Sequence, residues 1–303
     1  MITNLSDKTQ EPSFAIVTPS YAPDFERCRL LSWSLKEFVS PSVTHYIIVD
    51  QSDLPLFSQL KSPNTEIITK ESILPWWIKK VPFGKKNKWL SLKTLPLRGW
   101  HVQQIIKIAV AQHINKDVLV FVDSDVAFIR PFNLLSFTRG DKVQFFRIPS
   151  VGFPTVEGEQ GYLKWHRTAS RLLGLPAMDY PLPGYIGNVV TWRRDNVLKM
   201  YQKIEEASGQ QWIKALCNSF HISEYVLYGV FIDHFLQENS GHYFVSNGIC
   251  KEYWSDVPMS DEQLQNFFAE MPPGDVAVMI SAKAGMSVEH YQTLLAKHSI
   301  TRV

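Results

Sequence analysis

The chain reads as an α/β protein built on a largely parallel sheet with crossover helices. Three observations predict this. Strand-length apolar runs alternate with helix-period segments through the first half of the chain. The run Val118-Leu119-Val120-Phe121-Val122 is apolar at every position, the pattern of a strand covered on both faces. That run ends abruptly in Asp123-Ser124-Asp125, and ligands of open α/β sheets bind beyond the carboxyl ends of the strands. The 303 residues are 45% hydrophobic and 20% charged. That is enough core for one large domain and too little charge for disorder.

Taken in order, residues 1–12 form a polar arm. Phe14 to Thr18 is the first strand, stopped by Pro19. Asp24 is placed to cap a helix running to about Val39, with Leu30, Leu31, Leu35 and Phe38 on its apolar face. His45 to Val49 is the second strand, ending at Asp50, and Thr65 to Thr69 the third. No acid occurs from Ile73 to Lys116, and Pro75, Pro82 and Pro96 break up that stretch, so most of it is expected to be a long loop. Trp100 to Ile114 has helical spacing, with Trp100, Gln103, Gln104, Lys107 and Ala111 on one side. Beyond Phe132 come a strand from Lys142 to Ile148, a helix from Gln160 to Leu173 and a strand from Val189 to Trp192. A helix capped by Asp195, a helix from Ser223 to Gln237, a strand from Val276 to Ile280 and a helix from Ser287 to His298 complete the chain. One compact unit is expected over 13–303, with a nucleotide-binding half (13–132) and an acceptor-binding half (133–303).

Two carboxylates one residue apart at a buried strand end repel each other and are costly to desolvate. A turn rich in Asp and Ser is the plain explanation. A divalent cation is the functional one, because Mg²⁺ and Mn²⁺ favour hard oxygen ligands. The three cysteines (Cys28, Cys217, Cys250) are scattered, with no C-x-x-C pair, which suits a reducing compartment and offers no metal pattern. The polar N-terminus reads as no secretory signal, and no apolar run has the length of a membrane span. A cytoplasmic location follows as the expectation. The net charge of +2 argues against a nucleic-acid-binding surface.

The order of motifs resembles a GT-A glycosyltransferase, with its Rossmann-like mixed sheet flanked by helices. The carrying segments are Thr18-Pro19-Ser20-Tyr21 after the first strand, Asp50 after the second, and Asp123-Ser124-Asp125. GWHVQQIIK (99–107), YIGNVVTWRRDN (185–196) and SEYVLYG (223–229) extend the likeness to a family of bacterial glycosyltransferase-like proteins found with capsule and surface-polysaccharide genes. The resemblance implies a metal-dependent transfer from a nucleotide-sugar, with UDP favoured, to a glycan hydroxyl. Asp125 and Asp123 would hold Mn²⁺ or Mg²⁺, with Asp123 also near the ribose and Ser124 between them. Thr18, Pro19 and Tyr21 would cup the base, and Asp50 would accept a hydrogen bond from base or ribose. Lys107 would reach the phosphate or donor sugar as a point charge. Gly187 and Asn188 would approach the donor sugar.

Glu224 at a helix start has two readings: a first-turn acid beside the Ser223 cap, or the general base for the acceptor hydroxyl. The second reading favours inversion. Asp233 and His234, further along that helix, read as structural. Arg193, Arg194, Ser281, Lys283 and Gly285 are candidates to face the diphosphate, and His242, His290 and His298 candidates for a third metal ligand. Trp76, Trp77, Phe83 and Trp89 stand among Lys79, Lys80, Lys85, Lys86, Lys88, Lys93 and Arg98. That mixture suits an acceptor or an anionic membrane surface, and at least one of Trp76 and Trp77 is expected to pack. Two other functions compete. One is a nucleotidyltransferase, although TPSYAPDFERCR lacks the Gly-rich phosphate loop. The other is a non-catalytic glycan- or surface-binding protein on the same fold.

Overall fold

The computed structural model describes residues 11–81, 88–153 and 155–299. The polar arm before Glu11 lies outside them, as do Phe83, Lys85 and Lys86. The first strand β1 (Phe14–Pro19) leads through a short 3₁₀ turn into α1 (Phe25–Phe38), and β2 (Thr44–Val49) follows. A one-turn helix α2 (Leu54–Phe57), β3 (Thr65–Thr69) and a one-turn helix α3 (Lys70–Ile73) come next. Asp24 sits at the N-cap of α1 but makes no side-chain cap bond.

The stretch expected to be a loop is instead a small antiparallel sheet: β4 (Ile78–Lys80), β5 (Lys88–Ser91) and β6 (Leu97–Arg98), in that order. The reason is packing, because Trp77, Ile78, Trp89 and Leu97 are buried and join the main core. Trp76 stays 67% exposed while Trp77 is 3% exposed, so one of the pair packs as expected. Helix α4 (Gly99–Ala109) is shorter than its periodicity suggested and closes in a 3₁₀ turn, Val110–Gln112.

Then come β7 (Val118–Val122), β8 (Val126–Phe128), β9 (Thr138–Arg139), β10 (Lys142–Phe146), α5 (Val156–Leu173) and β11 (Val189–Arg193). The rest is helical apart from three strands: α6 (Arg194–Ser208), α7 (Trp212–Cys217), α8 (Glu224–Phe231), β12 (His242–Val245), β13 (Cys250–Tyr253), α9 (Asp261–Ala269), β14 (Ala277–Ile280) and α10 (Val288–His298). Asp195 lies inside the first turn of α6 rather than capping it, and pairs with Arg193 and Lys199. The helix expected to reach Gln237 stops being α-helical at Phe231 and continues as one π-helical stretch, Ile232–Leu236.

The central sheet has the order β11-β7-β1-β2-β3. Strands β7, β1, β2 and β3 are parallel, and β11 joins β7 antiparallel. This is the mixed, helix-flanked α/β sheet the sequence predicts, with β11 supplied by the second half of the chain. Strand alternation explains its two buried faces. Ala15, Val17, Leu119 and Phe121 enter the larger core with α4 and α8, whereas Phe14, Ile16, Val118, Val120 and Val122 enter a second core with α1. Both faces of β7 are therefore covered, which is why its sequence is uninterrupted apolar.

Where β7 ends, the chain leaves the central sheet. Asp123-Ser124-Asp125 makes a tight turn, closed by Val126 N–H donating to the Asp123 carbonyl at 3.2 Å. Strand β8 then pairs with β14 in a different three-stranded sheet, β13-β14-β8. The third small sheet is β12-β10-β9. No helix among the described residues is long and apolar enough to cross a membrane.

Candidate functional site at the end of the central sheet

Strand β1 has β2 on one side and β7 on the other, so the strand order reverses between β1 and β7. That reversal opens a crevice at the carboxyl ends of the two strands. The Thr18 hydroxyl ties them there, donating to the Val122 carbonyl at 2.8 Å and contacting His45 Nε2 at 2.9 Å. Thr18 is fully buried and braces the crevice rather than lining it. Pro19, Ser20 and Tyr21 from one strand end, and Asp123, Ser124 and Asp125 from the other, line a cleft of about 710 Å³.

The four-residue rhythm of α4 sets the opposite wall. Trp100, Gln103, Gln104 and Lys107 share one helix face and all line the cleft. The fifth residue assigned to that face, Ala111, is in the core. The start of α8 supplies Ser223, Glu224 and Tyr225, and the 3₁₀ turn after β14 supplies Ser281, Ala282 and Lys283. Ser223 caps α8 by accepting from Val226 N–H at 3.4 Å, and Gln104 Oε1 accepts from Glu224 N–H at 3.2 Å.

Lys107 is the electrostatic centre. Its ammonium lies 2.9 Å from Asp123 Oδ1 and 3.1 Å from Glu224 Oε1, and donates to the Tyr225 hydroxyl at 3.1 Å. Burial works against its charge, but Asp123, Tyr225 and Glu224 together hold its pKa well above the ordinary lysine value. Glu224 is buried and its pKa is pushed up by desolvation, with Lys107 pulling the other way. Among the described residues Asp125 has no such cation. Its Oδ2 accepts from Ala282 N–H at 3.1 Å. Burial, with the Asp123 charge adding, raises its carboxyl to about 6.

The donor set can be tested for a divalent ion on these facts. Among the described residues no group of three or more His, Cys, Asp and Glu is arranged to hold a metal. What exists is one half-buried carboxylate short of positive charge, Asp125, and a second, Asp123, with one oxygen on Lys107. That set fits an ion of the Mg²⁺ or Mn²⁺ kind, which one or two carboxylates hold jointly with substrate phosphates and water. It does not fit a site caged by protein alone.

Other residues singled out in the sequence sit elsewhere. Asp50 is buried off the cleft, paired with Lys80 and with Lys70 at 2.8 Å, and those cations hold its pKa below the usual carboxylate value against burial. Lys70 itself lines the cleft. Gly187 and Asn188 line a neighbouring cavity. Arg193 pairs with Asp195, and Arg194 donates to the Ala111 carbonyl at 2.7 Å, so neither lines the cleft. Asp233 pairs with Arg147 at 2.8 Å and accepts from the Tyr185 hydroxyl at 2.7 Å, and with His234 it lines a separate cavity. None of the three candidate histidines is in the cleft. His242 bonds the Tyr228 hydroxyl and the Val143 carbonyl, His290 faces Asp261, and His298 stacks on Phe268.

Sequence reasoning missed several cleft residues besides Lys70. Asp24 was read as a helix cap, yet it faces the cleft and Arg27. Trp165 stacks on Trp100 at 6.4 Å between ring centroids, and Trp254 is 58% exposed on the rim. Tyr225 lies under Lys107. Nothing in the sequence says which of the nine tryptophans form the cleft.

An open α/β sheet with a polar, aromatic-rimmed cleft at its strand-order reversal places the chain among the α/β proteins. Within that class the chain belongs to a family of unknown function (DUF6492), matched over residues 13–280. Among solved structures it is similar to mouse xyloside xylosyltransferase 1 in its apo form. That likeness covers 90% of this chain and 99% of the other, at 12% identity and a TM-score of 0.46. It is also similar to the apo structure of the WbbM bifunctional glycosyltransferase over 90% of this chain, at 11% identity and a TM-score of 0.46. The chain spans 46% of the WbbM chain. No curated protein matches.

Proposed function

We propose that the protein is a glycosyltransferase that moves a sugar from a nucleotide-sugar, UDP-linked by preference, to a glycan hydroxyl. The observation that carries this reading is the placement of Asp123 and Asp125 on the cleft wall where the strand order reverses, with Asp125 short of positive charge. Loss of a nucleoside diphosphate builds negative charge on the β-phosphate, and a divalent ion held by these two carboxylates would stabilise that charge.

The chain's own residues divide the remaining work. Tyr21 on the rim offers a face for stacking a base. Lys283 stands on the turn that also donates Ala282 N–H to Asp125, a position suited to a phosphate. Trp100, Trp165 and Trp254 present ring faces that suit a sugar and help exclude water. Glu224 is the proton acceptor for the incoming hydroxyl, which favours inversion. Lys107 opposes the desolvation that raises the Glu224 pKa and holds Asp123 in place. A bacterial surface polysaccharide is the acceptor class implied by the resemblance, and a cytoplasmic location goes with it. The exposed Trp76 and the lysines of the β4–β6 sheet supply a face for an anionic membrane.

A second reading has one observation in its favour. The Glu224 carboxylate is engaged by Lys107 at 3.1 Å, as in a binding protein that does not transfer. One experiment separates the two. A panel of UDP-sugars is incubated with the protein and Mn²⁺, and release of UDP is measured for wild type and Glu224→Gln. Transfer or slow hydrolysis of one donor, falling at least 100-fold in Glu224→Gln while UDP still binds, supports the enzyme. Full activity in Glu224→Gln removes it from the mechanism, and no turnover of any sugar nucleotide favours the binding protein.

A further inference from the structure

We propose that Lys70 selects the base of the donor nucleotide. Its ammonium donates to a carbonyl oxygen on the part of the base farthest from the ribose. A keto base (uracil, or guanine among purines) is accepted and its amino counterpart (cytosine, adenine) is rejected. The inference deepens the transferase reading and rests on it.

The sheet puts Lys70 in place. Where β2 pairs with β3, Val49 lies opposite Thr69, so Asp50 and Lys70 follow at two adjacent strand ends. Lys70 pairs with Asp50 Oδ1 at 2.8 Å, and Lys80 from β4 takes the other oxygen. Two ammonium groups thus share one carboxylate. Asp50 is turned away from the cleft, whereas Lys70 lines it together with Pro19, Ser20 and Tyr21. Where the sequence suggested an acceptor for the base, Asp50, the fold presents a donor.

Strand order fixes which part of a nucleotide Lys70 meets. The strands run β7-β1-β2-β3. At about 4.8 Å per step, the end of β7, with its two acids, and the end of β3 stand about 14 Å apart. A diphosphate on Asp123 and Asp125 and a base on Tyr21 leave Lys70 at the far end of the cleft. In a pyrimidine the ring atom opposite the ribose-bearing nitrogen is C4, which carries oxygen in uracil and an amino group in cytosine. The corresponding purine group is O6 in guanine and N6 in adenine.

The chemistry of the side chain then decides. A lysine ammonium has three donors and no acceptor. Lys70 is only 5% exposed, so water is a poor substitute partner for the N–H groups that Asp50 leaves unused. A carbonyl oxygen satisfies them, and an amino group opposes donor to donor. A site built to bond one polar group discriminates strongly against the analogue that lacks it.

The test is titration calorimetry on the full chain with UDP, CDP, GDP and ADP, each with Mn²⁺. In whichever pair the cleft admits, the keto base should bind at least tenfold tighter than the amino base. In Lys70→Gln, whose amide can donate or accept, that ratio should fall below threefold, chiefly by weaker binding of the keto base. Lys70→Arg keeps the charge and the donors and should keep the preference. With the wild-type ratio, it decides the matter if Lys70→Gln fails to fold. Equal binding of keto and amino bases in wild type, or an unchanged ratio in Lys70→Gln, would overturn the proposal. An equal loss for every nucleotide in Lys70→Gln would put Lys70 on the phosphates and overturn it too. Nucleotide binding without base preference defeats only this inference, whereas failure of all four nucleotides to bind defeats the transferase reading itself.

Discussion

Lys107 is one ammonium that holds two acids from two different elements, Asp123 after β7 and Glu224 at the start of α8. Removing one partner from a buried ionic cluster leaves an uncompensated charge, which typically costs about 3–5 kcal/mol. Lys107→Met should therefore lower stability by roughly that amount in urea melts, and adding Glu224→Gln to it should restore part of the loss. A Lys107→Met protein as stable as wild type would show that the cluster is not coupled. Asp123, Asp125, Lys107 and Glu224 were legible in the sequence because local pattern betrays them: an apolar run that stops at acids, a helix face, a cap followed by an acid. Asp24, Trp165 and Trp254 were not, since tertiary contacts alone bring them to the cleft. Asp50 misled because a strand-end acid looks the same whether it faces a ligand or, as here, two lysines.

Helix α8 carries its own constraint at Gly229. A Cβ there would lie 2.2 Å from Cγ of Tyr185 and 2.3 Å from its Cδ1. Tyr185 cannot swing away, because it is buried and its hydroxyl is anchored to Asp233. Gly229→Ala, favourable by helix propensity, should instead destabilise the protein by roughly 1–3 kcal/mol through overpacking. Chemical denaturation measures this, and a neutral or stabilised Gly229→Ala would contradict the packing described. The same contact joins YIGN to SEYVLYG, two segments that sequence alone treats as separate motifs. The longer elements of the central sheet and its helices were readable from period and caps, but β8, β9, α7, β12, β13 and α9 were not read at all. Over 78–98, prolines and lysines masked three short strands whose buried residues, Trp89 and Leu97 among them, are too sparse to show a period.

At the scale of the whole molecule, buried neutral histidines set the acid limit of the fold. Desolvation lowers His45 to about 3, and His166 and His242 to about 4, from an ordinary 6.5. His101 is lowered as well. The unfolded chain takes up these protons near pH 6.5 and the folded one does not. Their contribution is therefore complete above pH 6.5 and is lost as the pH falls toward 4. Asp125 and Glu224, whose pKa values are raised in the fold, oppose this with fewer protons. The net slope is on the order of 1–3 kcal/mol per pH unit near pH 5. The urea midpoint should hold between pH 7.5 and about 6.5 and then fall toward pH 5, and His242→Gln should flatten that slope. A midpoint constant or rising toward acid would contradict it. The α/β class and the crevice were visible from one apolar strand and its terminal acids. The partition of the second half into two small sheets was not, because β8, β12, β13 and β14 pair across long sequence distances.

On the proposed function, the acids that terminate β7 would share a doubly charged ion with a diphosphate. Thermal melting with UDP, in the presence and absence of Mn²⁺, tests it most directly on wild type and Asp125→Ala. A UDP-induced rise in Tm that requires Mn²⁺ and vanishes in Asp125→Ala is the predicted result. A rise that is indifferent to Mn²⁺, or that survives intact in Asp125→Ala, would contradict it.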